Sequence, residues 1–138
     1  MERKCELFPV REVLKSNPGL LNSPVQVYYD WDFREEMYNF LSKGKRMNNM
    51  QVRLHCMLRG INSYHKDFYG KYDISDKAKY ITAIKFKKGD NWRILCKEFF
   101  LNGKKNIVLI KLIKKPSQNI TKKMKNQIKS IGDYDYGF

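Results

Sequence analysis

WRILCKEFFLNGKKNIVLIKLIK, residues 92–114, is the stretch that decides the architecture. Asn102-Gly103 is a hairpin-turn signal, since both residues tolerate the positive φ that a tight turn demands. It separates a strand Trp92–Leu101 from a strand Asn106–Lys114. Trp92, Ile94, Cys96 and Phe100 share one face of the first strand, with Arg93, Leu95 and Lys97 opposite. The second strand is apolar on nearly both faces, which predicts a central position covered on both sides.

Working outward, Tyr80–Lys88 reads as a third strand, joined to the first through Gly89-Asp90-Asn91. Before it, residues 61–79 are polar and tyrosine-containing, a long loop or frayed helix. Two helices precede this loop. Asp32 reads as an N-cap with Glu35 three residues on, and Phe33, Met37, Phe40 and Leu41 follow at helical spacing to Gly44. Met47–Arg59 carries Met50, Leu54, Met57 and Leu58 on its buried stripe, with the methionines as core filler. A strand Val25–Tyr29 stands before this αα-hairpin. A helix Ser117–Ile131, with Ile120, Met124, Ile128 and Ile131 as its stripe, closes the chain before a DYDYGF tail. The expected fold is α+β, in the order β-α-α-β-β-β-α, with a small, mainly antiparallel sheet. Residues 1–24 read as an N-terminal extension with a short helix Pro9–Lys15, and residues 25–138 as one domain.

Charge narrows the function. The chain holds 28 Lys+Arg against 14 Asp+Glu, a net +14. Residues 1–76 are nearly balanced, with 12 basic and 10 acidic residues, whereas residues 77–131 hold 16 basic and 2 acidic. A half so cationic points to a polyanion: nucleic acid, ribosome, or an acidic protein that masks the surface. Apolar residues make up 42%, enough for a core. No apolar run approaches the roughly 20 residues of a membrane span, and charges interrupt the N-terminus where a signal peptide is apolar. A cytoplasmic protein is expected. Cys5, Cys56 and Cys96 have no metal or redox spacing, so reduced thiols are expected, with no disulfide, no zinc and no cofactor.

Alternation puts Lys85 and Lys87 on one face of their strand and Arg93 and Lys97 on the non-apolar face of the next. If the apolar rows meet the helices, these cations line an open face. Lys88, Lys111, Lys114 and Lys115 extend the patch as candidate RNA contacts. Cleavage of RNA through its 2′-hydroxyl needs a base, an acid and cations for the phosphorane. Lysine, tyrosine and arginine supply all three without metal. Solvent-facing lysines make the same pattern, so the residues alone leave both readings open. His55 reads as structural or surface, and His65 lies in the polar loop.

Taken together, residues 25–131 resemble the RelE/ParE toxin superfamily, nearest to HigB-like, phage-derived members. Four features carry the resemblance: the αα-hairpin after a first strand, the aromatic-Arg pair Trp92-Arg93 after a turn, the apolar strand ending in Lys114-Lys115, and the closing helix. It implies a type II toxin: a ribosome-dependent endoribonuclease that cuts mRNA without metal and is neutralised by a cognate antitoxin, expected to be of helix-turn-helix type. It implies Arg93 as the phosphate-holding cation, Lys85 and Lys87 as strand lysines of the site, and Lys114 and Lys115 as RNA contacts. RelE carries a tyrosine in its last helix. Here that region offers Ile120, which leaves the role to a tail tyrosine, Tyr134 or Tyr136, and Tyr134 is the candidate. Ala83 stands where a further strand lysine is expected. Two alternatives stay open: a ParE-like gyrase poison, and a basic nucleic-acid-binding protein without catalysis.

Overall fold

A computed structural model describes residues 2–14, 23–60, 63–72, 80–86, 91–115 and 121–138. The Asn102-Gly103 turn is present, with φ of 53° and 74°, and joins β6 (Trp92–Leu101) to β7 (Lys104–Lys114). β5 (Ile81–Phe86) pairs antiparallel with β6 on its other side. β3 (Val25–Asp30) runs parallel to β7, so β7 is central, as its two apolar faces require. The result is a mixed α+β fold around a mostly antiparallel six-stranded sheet; with β2 as Cys5–Leu7 and β4 as Tyr69–Lys71, its order is β2-β3-β7-β6-β5-β4.

Between β3 and β5 come a 3-10 turn (Trp31–Phe33), α2 (Arg34–Leu41) and α3 (Arg46–Met57). Asp30, not Asp32, caps the turn, by accepting a hydrogen bond from the Asp32 amide at 2.8 Å. The loop expected over 61–79 contains a strand, β4 (Tyr69–Lys71), whose Tyr69 is wholly buried. Alternation alone hides this strand, because its burial is set by β5 beside it.

Residues 2–14, which the sequence sets apart as an extension, are built into the domain. β2 (Cys5–Leu7) adds an edge strand to β3, and Phe8, Val13 and Leu14 enter the larger core with α1 (Val10–Val13). β1 (Glu2–Arg3) pairs with β8 (Asp135–Tyr136). Buried Asp30 ties these parts together. It accepts from Arg3 Nε at 2.7 Å and from the Tyr136 hydroxyl at 2.6 Å.

Two cores result, one on each side of the sheet. Met37, Leu41, Met50, Leu54 and Met57 of α2 and α3 pack on Ile84, Ile94, Cys96, Ile107 and Leu109. On the other side α4 (Lys122–Ile131) lays Met124, Ile128 and Ile131 over Ile81, Ala83, Leu95, Val108 and Ile110. The face expected to be open is therefore partly covered by α4. The narrow stripe of this helix needs an apolar surface, and only the second face of the sheet is left to supply one. Thr121 caps α4 by accepting from the Met124 amide at 3.2 Å; residues 116–120, where the sequence places the first turn, lie outside the described residues. Among the described residues, no helix is long and apolar enough to cross a membrane.

Candidate phosphate-binding site

The cation face begins at the Phe86 end of β5 and the Trp92 end of β6. Lys85 and Arg93 are direct cross-strand partners, so their side chains rise on the same face. Arg93 opposes Ile113 of β7, and Leu95 opposes Lys111. A bulge at Ile110 produces this second pairing, for Cys96 already opposes Leu109. Without the extra residue, Lys111 would share the face of Leu109; with it, exposed Lys111 turns to the side of Arg93.

Arg93 is only 4% exposed. One guanidinium nitrogen, Nη1, donates to Asn91 Oδ1 at 2.7 Å and to the Trp92 carbonyl at 3.2 Å. Nε is buried with no hydrogen-bond partner, and among the described residues no carboxylate pairs with this cation. Asn91 sits in the left-handed region, at φ 58°, and also ties the end of β7 by donating to the Lys115 carbonyl at 3.3 Å. Tyr72, just beyond β4, completes the group. Burial pushes its phenol up, and the charge and hydrogen bond of Arg93 oppose that rise. Neither Tyr72 nor Asn91 stands out in the sequence. The signal is tertiary, since Tyr72 meets Arg93 only because β4 pairs beside β5.

The other candidates scatter. Lys85 Nζ donates to the Lys66 carbonyl at 2.7 Å and fills the space over Gly70, where a Cβ would lie 3.1 Å from it. Lys97 turns its ammonium to the end of α4, donating to the carbonyls of Gly132 at 2.8 Å and Tyr134 at 2.7 Å. Desolvation lowers its pKa, opposed by Asp135 and Asp133. A candidate RNA contact is thus a helix C-terminal cap. The Tyr134 ring lies under the Arg3 guanidinium at 4.1 Å. Its carbonyl is held by Lys97, four residues along β6 from Arg93, or about 13 Å at strand rise. Tyr134 and the Lys85–Arg93 pair therefore do not form one cluster. Tyr136 is buried on Asp30, which together with desolvation drives its phenol pKa up. Lys114 faces the opposite side, its Nζ 5.9 Å from the Trp92 ring. Lys115 follows β7 and is clipped to Asn91 through its backbone. Lys87 and Lys88 lie outside the described residues.

What the arrangement offers is a guanidinium with spare donor capacity beside a phenol, with Lys85 at the cross-strand position and its ammonium turned to the Lys66 carbonyl. A guanidinium is a group suited to holding a phosphate, and a phenol beside it is a group suited to proton transfer. Thiol chemistry is not favoured, because burial holds the Cys96 thiol well above its ordinary range and raises Cys5 to about 11. Among the described residues, no group of three His, Cys, Asp or Glu side chains is placed to hold a metal ion. Comparison with family models, with curated proteins and with solved structures gives no match.

Proposed function

We propose that this protein is an RNA-cleaving toxin of the RelE/HigB kind, a metal-independent endoribonuclease that acts on mRNA at the ribosome. The observation that carries the reading is Arg93, a buried guanidinium with an unpartnered Nε beside Lys85 and Tyr72. Leaving a cation out of water without an anion costs several kcal/mol. An RNA phosphate drawn against Arg93 offsets that cost and takes up the idle donor. In this reading Arg93 holds the scissile phosphate and Lys111 adds positive potential. Tyr72 and Lys85 are the groups beside Arg93 able to move protons as the 2′-oxygen attacks and the 5′-oxygen leaves. The order of a strand, two helices, four antiparallel strands and a closing helix is the observation that supports a RelE-like topology, with β4 added to the three strands that the sequence predicts. A ribosome-directed enzyme works in the cytoplasm, and a cognate antitoxin of helix-turn-helix type would mask the cationic surface.

Induced expression in a bacterium, with 5′ ends mapped across cellular mRNA, tests the proposal. Cuts at translated codons are expected with the native chain and absent with Arg93→Met. Tyr72→Phe should lower cleavage by about 10²–10⁴-fold, the usual worth of a proton-transfer group. Growth arrest with DNA breaks and no new mRNA ends would replace this reading with a gyrase poison. Absence of arrest would leave a basic nucleic-acid-binding protein.

A further inference from the structure

On the sheet face opposite Arg93, the same end of the molecule carries a cleft of about 620 Å³. None of its cations stands out in the sequence. Phe86 and Trp92 are the next cross-strand pair after Lys85 and Arg93, so they point to the other side and form the cleft's inner wall. Phe40 braces both rings edge-on, at 5.2 and 5.8 Å.

Four cations stand around this wall. Lys43 and Lys45 are exposed on the α2–α3 connection, flanking Gly44, which turns the chain at φ 58°. The Arg46 guanidinium lies 4.0 Å over Phe40 and donates to its carbonyl at 3.2 Å. Arg53 is 9% exposed, with its guanidinium 4.7 Å from the Phe86 ring and 4.8 Å from Phe68. Its Nε donates to the Lys85 carbonyl at 3.0 Å and its Nη1 to the Asn49 carbonyl at 2.8 Å. Among the described residues no carboxylate pairs with Arg53, and Asp67 is the one acidic residue on the lining.

We propose that this cleft binds one nucleotide unit of a single-stranded RNA, with the base on the aromatic and guanidinium planes and the phosphate on Lys43, Lys45 and Arg46. The volume lies within the ordinary range for a small-ligand site. Flat aromatic faces among cations that pair with no carboxylate among the described residues suit a planar base carrying a phosphate, the pairing that single-strand binders use. An acidic peptide would satisfy the cations but make little use of the stacking planes. Binding here does not require cleavage, since a protein that holds RNA without cutting it would use the cleft equally. If both sites operate, they lie back to back at one end of the sheet, with Arg53 bonded to the backbone of Lys85 between them.

Trp92 reports on the cleft directly. The chain has 2 tryptophans, and Trp31→Phe removes the other, a surface ring stacked between Lys4 and Arg34. In that background, titration with hexauridylate should quench the remaining fluorescence saturably, and more weakly with uridine monophosphate. Lys43→Ser with Lys45→Ser, both exposed and so safe for folding, should weaken binding about tenfold. It should also reduce the slope of log K against log salt by up to about 0.7, the value for one phosphate no longer neutralised. Lys129→Ser, on the exposed side of α4, should leave the quench unchanged, and the mapped mRNA ends read the site proposed for cleavage separately. No quench by RNA, or an unaltered affinity in the double variant, would overturn the assignment. Tighter binding of polyglutamate than of hexauridylate would overturn it in favour of an acidic protein partner.

Discussion

If Arg93 is kept for phosphate and not for the fold, replacing it with methionine should cost the protein little stability. Methionine nearly matches its length, is apolar, and fits between Lys85 and Ile113. The substitution removes the Nη1 hydrogen bonds to Asn91 and Trp92 and the contact with Tyr72, each worth about 1.5–3 kcal/mol for a charged donor. Against this, it removes the several kcal/mol of burying an uncompensated cation. It also removes about 1–3 kcal/mol for the unpartnered Nε, and buries apolar atoms where the guanidinium stood. The two sides are of similar size, so Arg93→Met should stay within about 2 kcal/mol of the native chain, a change in Tm of under about 6 °C. Urea midpoints and calorimetry on the native chain, Arg93→Met and Arg93→Ala read this directly; alanine, which leaves a cavity, should lose stability. RNA at ten times its Kd should then stabilise the native chain by about 1.4 kcal/mol through an occupied Arg93 site, and the methionine variant by less. A loss above about 2 kcal/mol in Arg93→Met would refute the reasoning, because it would make Arg93 a structural residue whose hydrogen bonds outweigh its desolvation.

Three further outcomes follow from buried or half-buried polar groups. Lys105 Nζ lies 2.9 Å from Glu98 Oε2, both side chains almost wholly buried, and Tyr64 and Tyr69 donate to the same carboxylate. Lys105→Met should therefore cost about 3–5 kcal/mol, and adding Glu98→Gln should recover part of it; a double-mutant cycle in urea with no recovery would contradict the pairing. Lys97→Met frees the Gly132 and Tyr134 carbonyls and should cost about 1–3 kcal/mol, with faster hydrogen exchange at the end of α4 and none of the salt-slope change expected of an RNA contact. The Tyr29 phenol is pushed up from 10.0 to about 12 by burial and its bond to Glu6. The folded chain thus holds a proton that the unfolded chain loses near pH 10, so stability should be full below pH 10 and fall as pH rises toward 12. Tyr69 shifts in the same direction, and Tyr29→Phe should flatten the fall measured from urea midpoints.

The local chemistry of particular residues made part of this protein legible without coordinates. Asn102-Gly103 dictates a hairpin wherever it stands between two β-rich runs. The doubly apolar run Ile107–Ile110 requires cover on both faces, so the central place of β7 could be read directly. Strict alternation likewise set Lys85 and Arg93 opposite the Trp92-Ile94-Cys96 row, and the register agrees. Such features depend on neighbours in the chain or on period alone.

Tertiary structure decided what lies over those residues. Burial of Arg93, the turn of Lys97 to the end of α4, and the separation of Tyr134 from the cation pair depend on which element covers each face. That is a competition among all the apolar stripes for a limited apolar surface, and no local pattern records its result. The meeting of Tyr72 with Arg93, and of Lys43, Lys45, Arg46 and Arg53 around Trp92, brings together residues about 20–50 positions apart. Their charges and rings are visible in the sequence, but their convergence exists only after β4 joins the sheet and α3 packs against it.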